Sequence, residues 1–160
     1  MSDNDVIFDD KCDRVDDDAL AKINRRSDLQ KGDLLFSGIG TIGRVYLIDE
    51  PVVNWNISES VFTMRPTDGI SPIFLYLLLL NKDIQDYCQS NAHGCAQKGI
   101  RMADLKAFET IIPDNDTLES FVTIASKFIN RSKSLRKQIR NLSEARDRLL
   151  PKLMSGEIDV

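Results

Sequence analysis

A heptad repeat near the end of the chain constrains the fold more than any other feature of the sequence. From Leu118 to Leu149, apolar residues recur at alternating spacings of three and four, which aligns them along one stripe of an α-helix. The stripe has one wholly apolar row, Phe121, Phe128, Leu135, Leu142 and Leu149, and one weaker row, Leu118, Ala125, Ser132, Ile139 and Arg146. About 32 residues at about 1.5 Å each make a rod roughly 48 Å long.

A rod of this length with a narrow apolar stripe is typical of helices that pair with another helix. The preceding domain, of about 110 residues, can cover only part of it. We expect the stripe to contact a second copy of the chain or a related helix; packing back on its own domain is the alternative. Asp116 or Thr117 is predicted to cap the start of the helix, and Pro151 to end it.

The first part of the chain mixes short strands with short helices. We expect the α/β (α+β) class: a small mixed β-sheet domain at residues 1–113, followed by one long coiled-coil-type helix and a tail at 114–160. Ser71 as N-cap and Pro72 as first helical residue predict a buried helix over the apolar run to Leu80. The other predicted elements are a short helix after Asp16 that ends near Ser27, strands over 33–37, 44–49 and 110–112, and strand residues at Ile57, Val61, Phe62 and Met64.

The stretch GIGTIGRV, Gly38–Val45, matches the glycine pattern G-x-G-x-x-G-x-V of phosphate-binding loops. A dinucleotide fold requires a helix to open at the last glycine, but the residues that follow are strand-like. A kinase requires a lysine on the next strand and the motifs H-R-D and D-F-G, whereas the first lysine after the loop is Lys82. The sequence therefore disfavours a nucleotide site, and a tight hairpin whose glycines adopt positive φ remains as the simpler interpretation.

Charge is distributed unevenly along the chain. The net charge is −4 and the isoelectric point about 5.0, which argues against a protein that coats DNA non-specifically. Residues 127–160 nevertheless carry nine Lys and Arg against four Asp and Glu. A basic helix of this kind is either a solvated face or a surface for a partner.

Few residues offer enzyme or metal chemistry. His93 is the single histidine, and no nucleophile is evident beside it, so we expect no catalysis. Cys88, His93 and Cys95 lie close in sequence but lack a nearby fourth ligand, so we expect no metal. Three cysteines without C-x-x-C spacing suit reduced thiols in a cytoplasm. The start of the chain shows no secretory signal, and the longest apolar run is too short to span a bilayer.

Several spaced motifs resemble the DNA-specificity subunits of type I restriction-modification systems. The similarity covers about residues 25–160, and its motifs occur in the family's order. They are LQKGDLLFSGIGTIGRVYLID, the loop HGCAQKGI with Gly94, Gln97 and Ile100 in a G-x-x-Q-x-x-I pattern, Asp104-Leu105-Lys106, Ile112-Pro113, and the ending LLPKLMSGEI. A complete subunit of this family carries two recognition domains and two helices, and its domain has opening segments that we do not find before Met1. We therefore expect a half-subunit or an amino-truncated fragment.

This resemblance implies that the chain recognises double-stranded DNA and does no chemistry itself. Glycine loops let backbone N–H groups approach phosphates, and Gln97 can pair bidentately with adenine, while Lys98 and Arg101 can reach phosphate or guanine. Asn54 and Asn56 are weaker candidates, and Trp55 between them is expected in the core. The complete set of candidate DNA contacts is Ser37, Gly38, Gly40, Thr41, Gly43, Arg44, Asn54, Asn56, His93, Gln97, Lys98 and Arg101.

The resemblance also implies partners. Methyltransferase subunits using S-adenosylmethionine would methylate adenine, and a restriction subunit using ATP and Mg²⁺ would cleave; this chain itself would hold no cofactor. The long helix would pair with a second copy or with another specificity half. The alternative is an assembly module that dimerises through its helix and has no DNA recognition of its own.

Overall fold

The computed structural model describes residues 5–6, 8, 12–67 and 69–158. The chain divides into two compact units, Met1–Pro113 and Asp114–Val160. The first unit contains α1 (Asp17–Arg26), β1 (Leu34–Ser37), β2 (Val45–Leu47), β3 (Val61–Met64), α2 (Pro72–Leu80), α3 (Lys82–Ser90) and α4 (Met102–Lys106), and the second contains α5 (Asn115–Met154).

The three described strands form one antiparallel sheet in the order β2-β1-β3. Leu34 in β1 lies opposite Leu47 of β2 and Met64 of β3. The α+β class with one small sheet and one long helix is confirmed, although the sheet, expected to be mixed, is antiparallel throughout these strands. Ile57 lies outside β3, and residues 110–112 form no strand; Ile111 there is 90% exposed.

The central strand β1 separates two apolar clusters, because successive side chains of a strand point to opposite faces. Leu34 and Phe36 belong to the larger cluster, which α2, α3 and α4 help to cover. Its buried members are Leu34, Phe36, Ile42, Val45, Leu47, Leu79, Ile84, Cys88, Ile100 and Leu105. Leu35 faces the smaller cluster, against which Trp55 packs, as expected of a core residue.

An ion pair between the buried Asp33 and the half-exposed Arg65 anchors the turn that leads into β1. Asp33 is 1% exposed, and its carboxylate accepts hydrogen bonds from Arg65 Nε at 2.7 Å and from the backbone N–H of Gln30 at 2.8 Å. Burial by itself raises the pKa of Asp33, but these two donors outweigh burial and hold that pKa below its ordinary value. The ion pair thus joins the start of β1 to the residue that follows β3.

Helix α2 begins as expected. Ser71 is its N-cap, with the side chain accepting from the N–H of Ile73, and Pro72 is its first residue. The helix ends at Leu80, where Asn81 serves both as its C-cap and as the N-cap of α3. The short helix after Asp16 is likewise confirmed as α1, which Asp16 caps through the N–H of Ala19.

Helix α5 is longer than its sequence signals indicated. Its N-cap is Asp114, whose side chain accepts from the N–H of Thr117, so capping by Asp116 or Thr117 was wrong. Pro151 lies inside the helix rather than at its end. A proline removes one backbone donor, but the chain continues to Met154, and the N–H of Ser155 still donates to the Pro151 carbonyl at 3.0 Å.

Candidate nucleic-acid interface

The glycine stretch forms the connection between β1 and β2, which we call the glycine loop (residues 38–44). The N–H of Ser37 donates to the Arg44 carbonyl at 2.9 Å, and the N–H of Gly43 donates to the Ser37 carbonyl at 3.0 Å. These bonds close the loop at its base. The tip, Ile39 to Thr41, is exposed, whereas Ser37, Gly38 and Gly43 are buried and Arg44 is half-buried.

Two glycines of this loop are required by packing. Gly43 has φ +93, and a methyl group on it would lie 2.1 Å from Oε1 of Gln85. A methyl group on Gly38 would lie 2.5 Å from the ring of Phe62, which stacks on Phe36. These two glycines therefore let α3 and β3 approach the loop, and neither is placed at its exposed tip.

Residues 93–99 form a second loop, which we call the glutamine loop. Its ends pair through two backbone hydrogen bonds, since His93 and Gly99 each donate to the carbonyl of the other, at 2.8 and 2.9 Å. Gly94 has φ +115, and a methyl group on it would lie 2.4 Å from the Gln97 carbonyl oxygen. Only glycine fits there without moving the backbone.

Backbone hydrogen bonds join the two loops into one surface. The N–H of Gly40 donates to the Lys98 carbonyl, and the N–H of Ile100 donates to the Gly38 carbonyl, both at 2.8 Å. Ile39 and Gly99 form an isolated antiparallel bridge. Residues about sixty apart in sequence are bonded here, so the two segments present their exposed residues side by side.

The side chain of Gln97 lies over the tip of the glycine loop. A methyl group on Gly40 would lie 3.0 Å from Gln97 Nε2, so Gly40 leaves room for this amide. Thr41, Gln97 and Lys98 are all exposed. The joined surface thus offers a hydroxyl, a carboxamide and an ammonium group to a ligand.

Arg101 is held by a carboxylate at the end of the glutamine loop. Its Nε and a terminal nitrogen donate to the two carboxylate oxygens of Asp104, at 2.8 and 3.1 Å. The Arg101 guanidinium holds the pKa of Asp104 below its ordinary value. His93 Nε2 lies 4.0 Å from the same carboxylate, with 65% of its side chain exposed. A ligand phosphate would have to compete with Asp104 for Arg101.

The two asparagines differ in what they can contact. Asn54 is exposed and has φ +57. The Asn56 amide donates to Asn24 Oδ1 at 2.7 Å and to the Ser27 carbonyl at 2.8 Å, while its oxygen accepts from the Ser27 hydroxyl and from the N–H of Ile57. Asn56 therefore ties its segment to the end of α1, and no hydrogen-bonding position is left for a base edge.

Sequence reasoning missed three residues that support this surface. Gln85 Nε2 donates to the Gly43 carbonyl at 2.9 Å and to the Leu79 carbonyl at 2.6 Å, and Gln89 Nε2 donates to the Ile42 carbonyl at 3.4 Å. The spacing of four places both glutamines on one side of α3. Asp104 was noticed only as part of a motif, with no indication that it binds Arg101.

The apolar stripe of α5 is largely exposed in the single chain. Leu118 and Ala125 are buried, but the wholly apolar row is not. Exposed fractions are 44% for Phe121, 73% for Phe128, 42% for Leu135, 63% for Ile139, 69% for Leu142 and 49% for Leu149. Ser132 and Arg146 of the weaker row are also exposed.

The residues considered for metal binding are dispersed between core and surface. Cys88 is buried in the larger cluster, where burial raises the pKa of its thiol, whereas His93 and Cys95 are exposed on the glutamine loop. Across the described residues, no group of three or more His, Cys, Asp or Glu is arranged to hold a metal ion. No helix in this part of the chain is long and apolar enough to cross a membrane.

Comparisons with known proteins agree with the resemblance read from the sequence. The model of the type I restriction modification DNA specificity domain matches residues 14–144. The chain is 27% identical over 156 residues to the type I restriction enzyme EcoBI specificity subunit of Escherichia coli, covering 90% of this chain and 33% of that protein. It is 28% identical over 123 residues to the HindI specificity subunit of Haemophilus influenzae, covering 76% of this chain and 26% of that protein.

The chain thus spans about a third of the length of the first of these relatives and about a quarter of the second. The family match includes both loops and most of α5. Because the family model matches well over half of the chain, this protein belongs to the type I restriction modification DNA specificity family.

Proposed function

We propose that this chain recognises a double-stranded DNA sequence for a type I restriction-modification complex and catalyses no reaction itself. The observation that carries the proposal is the joining of the glycine and glutamine loops into one exposed polar surface. Membership of the DNA specificity family supports DNA as the ligand.

The chemistry of this surface suits a duplex. Gln97 can donate to and accept from an adenine edge in the major groove, and Lys98 can reach a phosphate. Gln97 is exposed, and its amide rests over Gly40, which has no side chain to block it. Arg101 becomes a DNA contact once a phosphate or guanine replaces Asp104 as its acceptor. Asn56 is left out of the proposed interface because its amide is fully used within the domain.

The test is sequence-specific DNA binding by the assembled methyltransferase complex that contains Gln97→Ala and Arg44→Ala variants. We expect each substitution to weaken binding by about 1–3 kcal/mol if the side chain touches a base or a well-placed phosphate. Gln30→Ala with Arg25→Ala removes the same two side-chain types from exposed positions elsewhere in the same unit, and should leave binding unchanged. Circular dichroism verifies that all variants are folded.

Unchanged DNA binding and methylation by the Gln97→Ala, Arg44→Ala double variant would remove recognition from these loops. The remaining function would then be that of an assembly module that acts through α5. The isolated chain should bind duplex DNA weakly at physiological salt, because residues 1–126 carry twelve Lys and Arg against 21 Asp and Glu. Tight site-specific binding by the chain alone in a gel-shift titration would contradict that expectation.

We further propose that α5 pairs antiparallel with α5 of a second copy, or with the corresponding helix of another specificity half. The exposed row from Phe121 to Leu149 supports this, since each large side chain gains about 1.5–3 kcal/mol on full burial. Ser132 lies near the middle of the stripe, where a small residue permits close approach of two crossing helices. Antiparallel pairing would carry two recognition domains at opposite ends of a rod and so space two halves of a DNA site.

Leu135→Glu combined with Leu142→Glu should separate the pair and leave the first unit folded. A substitution pair on the opposite side of the helix, Asn130→Glu with Asn141→Glu, introduces the same charge at two exposed positions and serves as the control. Sedimentation equilibrium at tens of micromolar distinguishes the outcomes. A monomeric unmutated chain would refute the homodimer and leave only pairing with a different specificity half.

The proposed partners are those of the whole complex: methyltransferase subunits that use S-adenosylmethionine and a restriction subunit that uses ATP and Mg²⁺. The chain itself is proposed to hold none of these cofactors and to act in the cytoplasm. Co-purification of the tagged chain with an adenine methyltransferase tests the assembly, and its absence under conditions that preserve the complex would count against it.

A further inference from the structure

Helix α5 carries a second surface that the pairing proposal does not use. Between Glu119 and Glu144 the sequence contains no Asp or Glu but six Lys and Arg. Four of the six follow the spacing three, one, three, which places them on one side of the helix over about 10.5 Å. We call this set the basic face; it consists of Lys133, Arg136, Lys137 and Arg140.

The basic face lies away from the apolar stripe. Lys137 follows Leu135 by two residues, which at about 100° per residue is about 200° around the helix. A helix that packs against the exposed stripe therefore leaves Lys133, Lys137 and Arg140 uncovered, while Arg136, three residues before Ile139, flanks the stripe. Arg136, Lys137 and Arg140 are exposed in the single chain.

The arrangement of charge is unfavourable for an isolated helix. Lys133 with Lys137 and Arg136 with Arg140 are like-charged pairs at i,i+4, which destabilise a helix in water. Among the described residues, neither Lys137 nor Arg140 forms an ion pair, whereas Arg146 and Lys152 farther along α5 pair with Asp147 and Glu157. A merely solvated helix gains from acids at these spacings, yet of the four residues only Arg140 has one, Glu144 four residues on, which favours a polyanionic ligand.

The rest of the chain lacks the charge that DNA binding needs. Residues 1–126 have twelve Lys and Arg and 21 Asp and Glu, a net of −9, while residues 127–160 have nine and four, a net of +5. Base-reading loops on an acidic domain need phosphate contacts from elsewhere, because cations that displace counterions supply most of the sequence-independent affinity.

We propose that the basic face of α5 binds the phosphate backbone of duplex DNA. The inference rests on DNA as the ligand of the proposed function, but it concerns sequence-independent affinity and a different set of residues. It makes α5 both a pairing helix and a source of DNA affinity.

The test is the salt dependence with which the full chain binds a mixed-sequence 30-base-pair duplex, measured by fluorescence anisotropy from low salt upward. Lys137→Gln with Arg140→Gln should make the negative slope of log K against log salt shallower by about 1.8, and replacing all four residues by Gln should make it shallower by about 3.6. At about 0.05 M salt the double variant should bind about two orders of magnitude more weakly. Glutamine has a helix propensity close to that of Lys and Arg, so α5 should remain helical.

The matched control is Lys82→Gln with Lys152→Gln, which removes the same charge from two side chains already paired with Asp86 and Glu157. Its slope should stay within about 0.5 of the unmutated chain if only phosphate-contacting cations contribute. An equal fall in both double variants, or no measurable binding of the unmutated chain at low salt, would overturn the proposal. An unchanged slope with weaker self-association would also overturn it and assign the basic face to a protein contact.

The two DNA proposals fail separately. Loss of sequence-specific binding in Gln97→Ala with an unchanged salt slope supports base recognition by the loops and does not bear on the basic face. A reduced slope in the basic-face variants, with sequence preference retained, supports the face whatever the loops do.

Discussion

Gly43→Ala should destabilise the first unit through two separable effects, backbone strain and displacement of Gln85. Gly43 has φ +93, a conformation that costs a residue with a side chain about 1–2 kcal/mol. Its new methyl group would also lie 2.1 Å from Gln85 Oε1, so the amide must leave its position.

Displacing Gln85 breaks its hydrogen bonds to the carbonyls of Gly43 and Leu79, at 2.9 and 2.6 Å. Each is worth about 0.5–1.5 kcal/mol net. The total loss for Gly43→Ala is therefore about 2–5 kcal/mol, of which about 1–3 kcal/mol belongs to Gln85.

A double-mutant cycle isolates that share. Gln85→Ala alone loses the same two hydrogen bonds, so adding Gly43→Ala to it should cost only the backbone strain of about 1–2 kcal/mol. The sum of the two single-variant losses in free energy of unfolding should thus exceed the loss in the double variant by about 1–3 kcal/mol. Urea unfolding followed by far-ultraviolet circular dichroism at pH 7 gives each free energy of unfolding.

Gly69→Ala serves as the control for strain alone. Gly69 also has positive φ, +77, but no atom lies within 4 Å of the position a methyl group would take. Gly69→Ala should lower the free energy of unfolding by as much as Gly43→Ala does in the Gln85→Ala background. Single losses that add to within about 0.5 kcal/mol would refute Gln85 as the reason that position 43 requires glycine.

Three further substitutions test the described contacts. Arg65→Met should cost about 2 kcal/mol at pH 7, because it leaves the buried Asp33 carboxylate without its charged donor. The folded-state pKa of Asp33 is depressed. The stability difference between the variant and the unmutated chain is therefore present above the ordinary carboxylate pKa of about 3.9 and should vanish as pH falls through the depressed pKa. A stability loss that does not depend on pH would contradict this role of Arg65. Thr63→Val should raise the free energy of unfolding by about 1 kcal/mol, because the Thr63 hydroxyl is buried with no partner among the described residues, and a destabilised variant would show that the hydroxyl is satisfied. Asp114→Ala should lower the free energy of unfolding by about 0.5–2 kcal/mol, because the N–H of Thr117 loses its hydrogen bond to the N-cap side chain. An unchanged melting curve would exclude that cap.

The sequence by itself determined the features that depend on near neighbours. The stripe of α5 follows from a repeat matched to the helical period, and the start of α2 follows from Ser71 and Pro72, whose side chains act within one turn. Both are present in the structure. The spaced motifs likewise identified the family, because their order and composition can be compared without coordinates.

Even among local signals, some outcomes depended on energies too small to predict. Pro151 lies inside α5, because the residues after it continue the helix and close its last turn. Asp114 caps the helix although Asp116 and Thr117 offered similar chemistry. Competing caps differ by only about 1 kcal/mol or less, so sequence reasoning could not choose between them.

Only the tertiary structure decided how the candidate interface is built. Gly43 must be glycine because of Gln85, which lies 42 residues away in the sequence. The side chain of Asn56 is hydrogen-bonded to Ser27, 29 residues away. The two loops meet through backbone hydrogen bonds, whose donors every residue type except proline carries. Such contacts carry no local sequence signal, because they arise when the packing of the sheet and helices brings distant segments together.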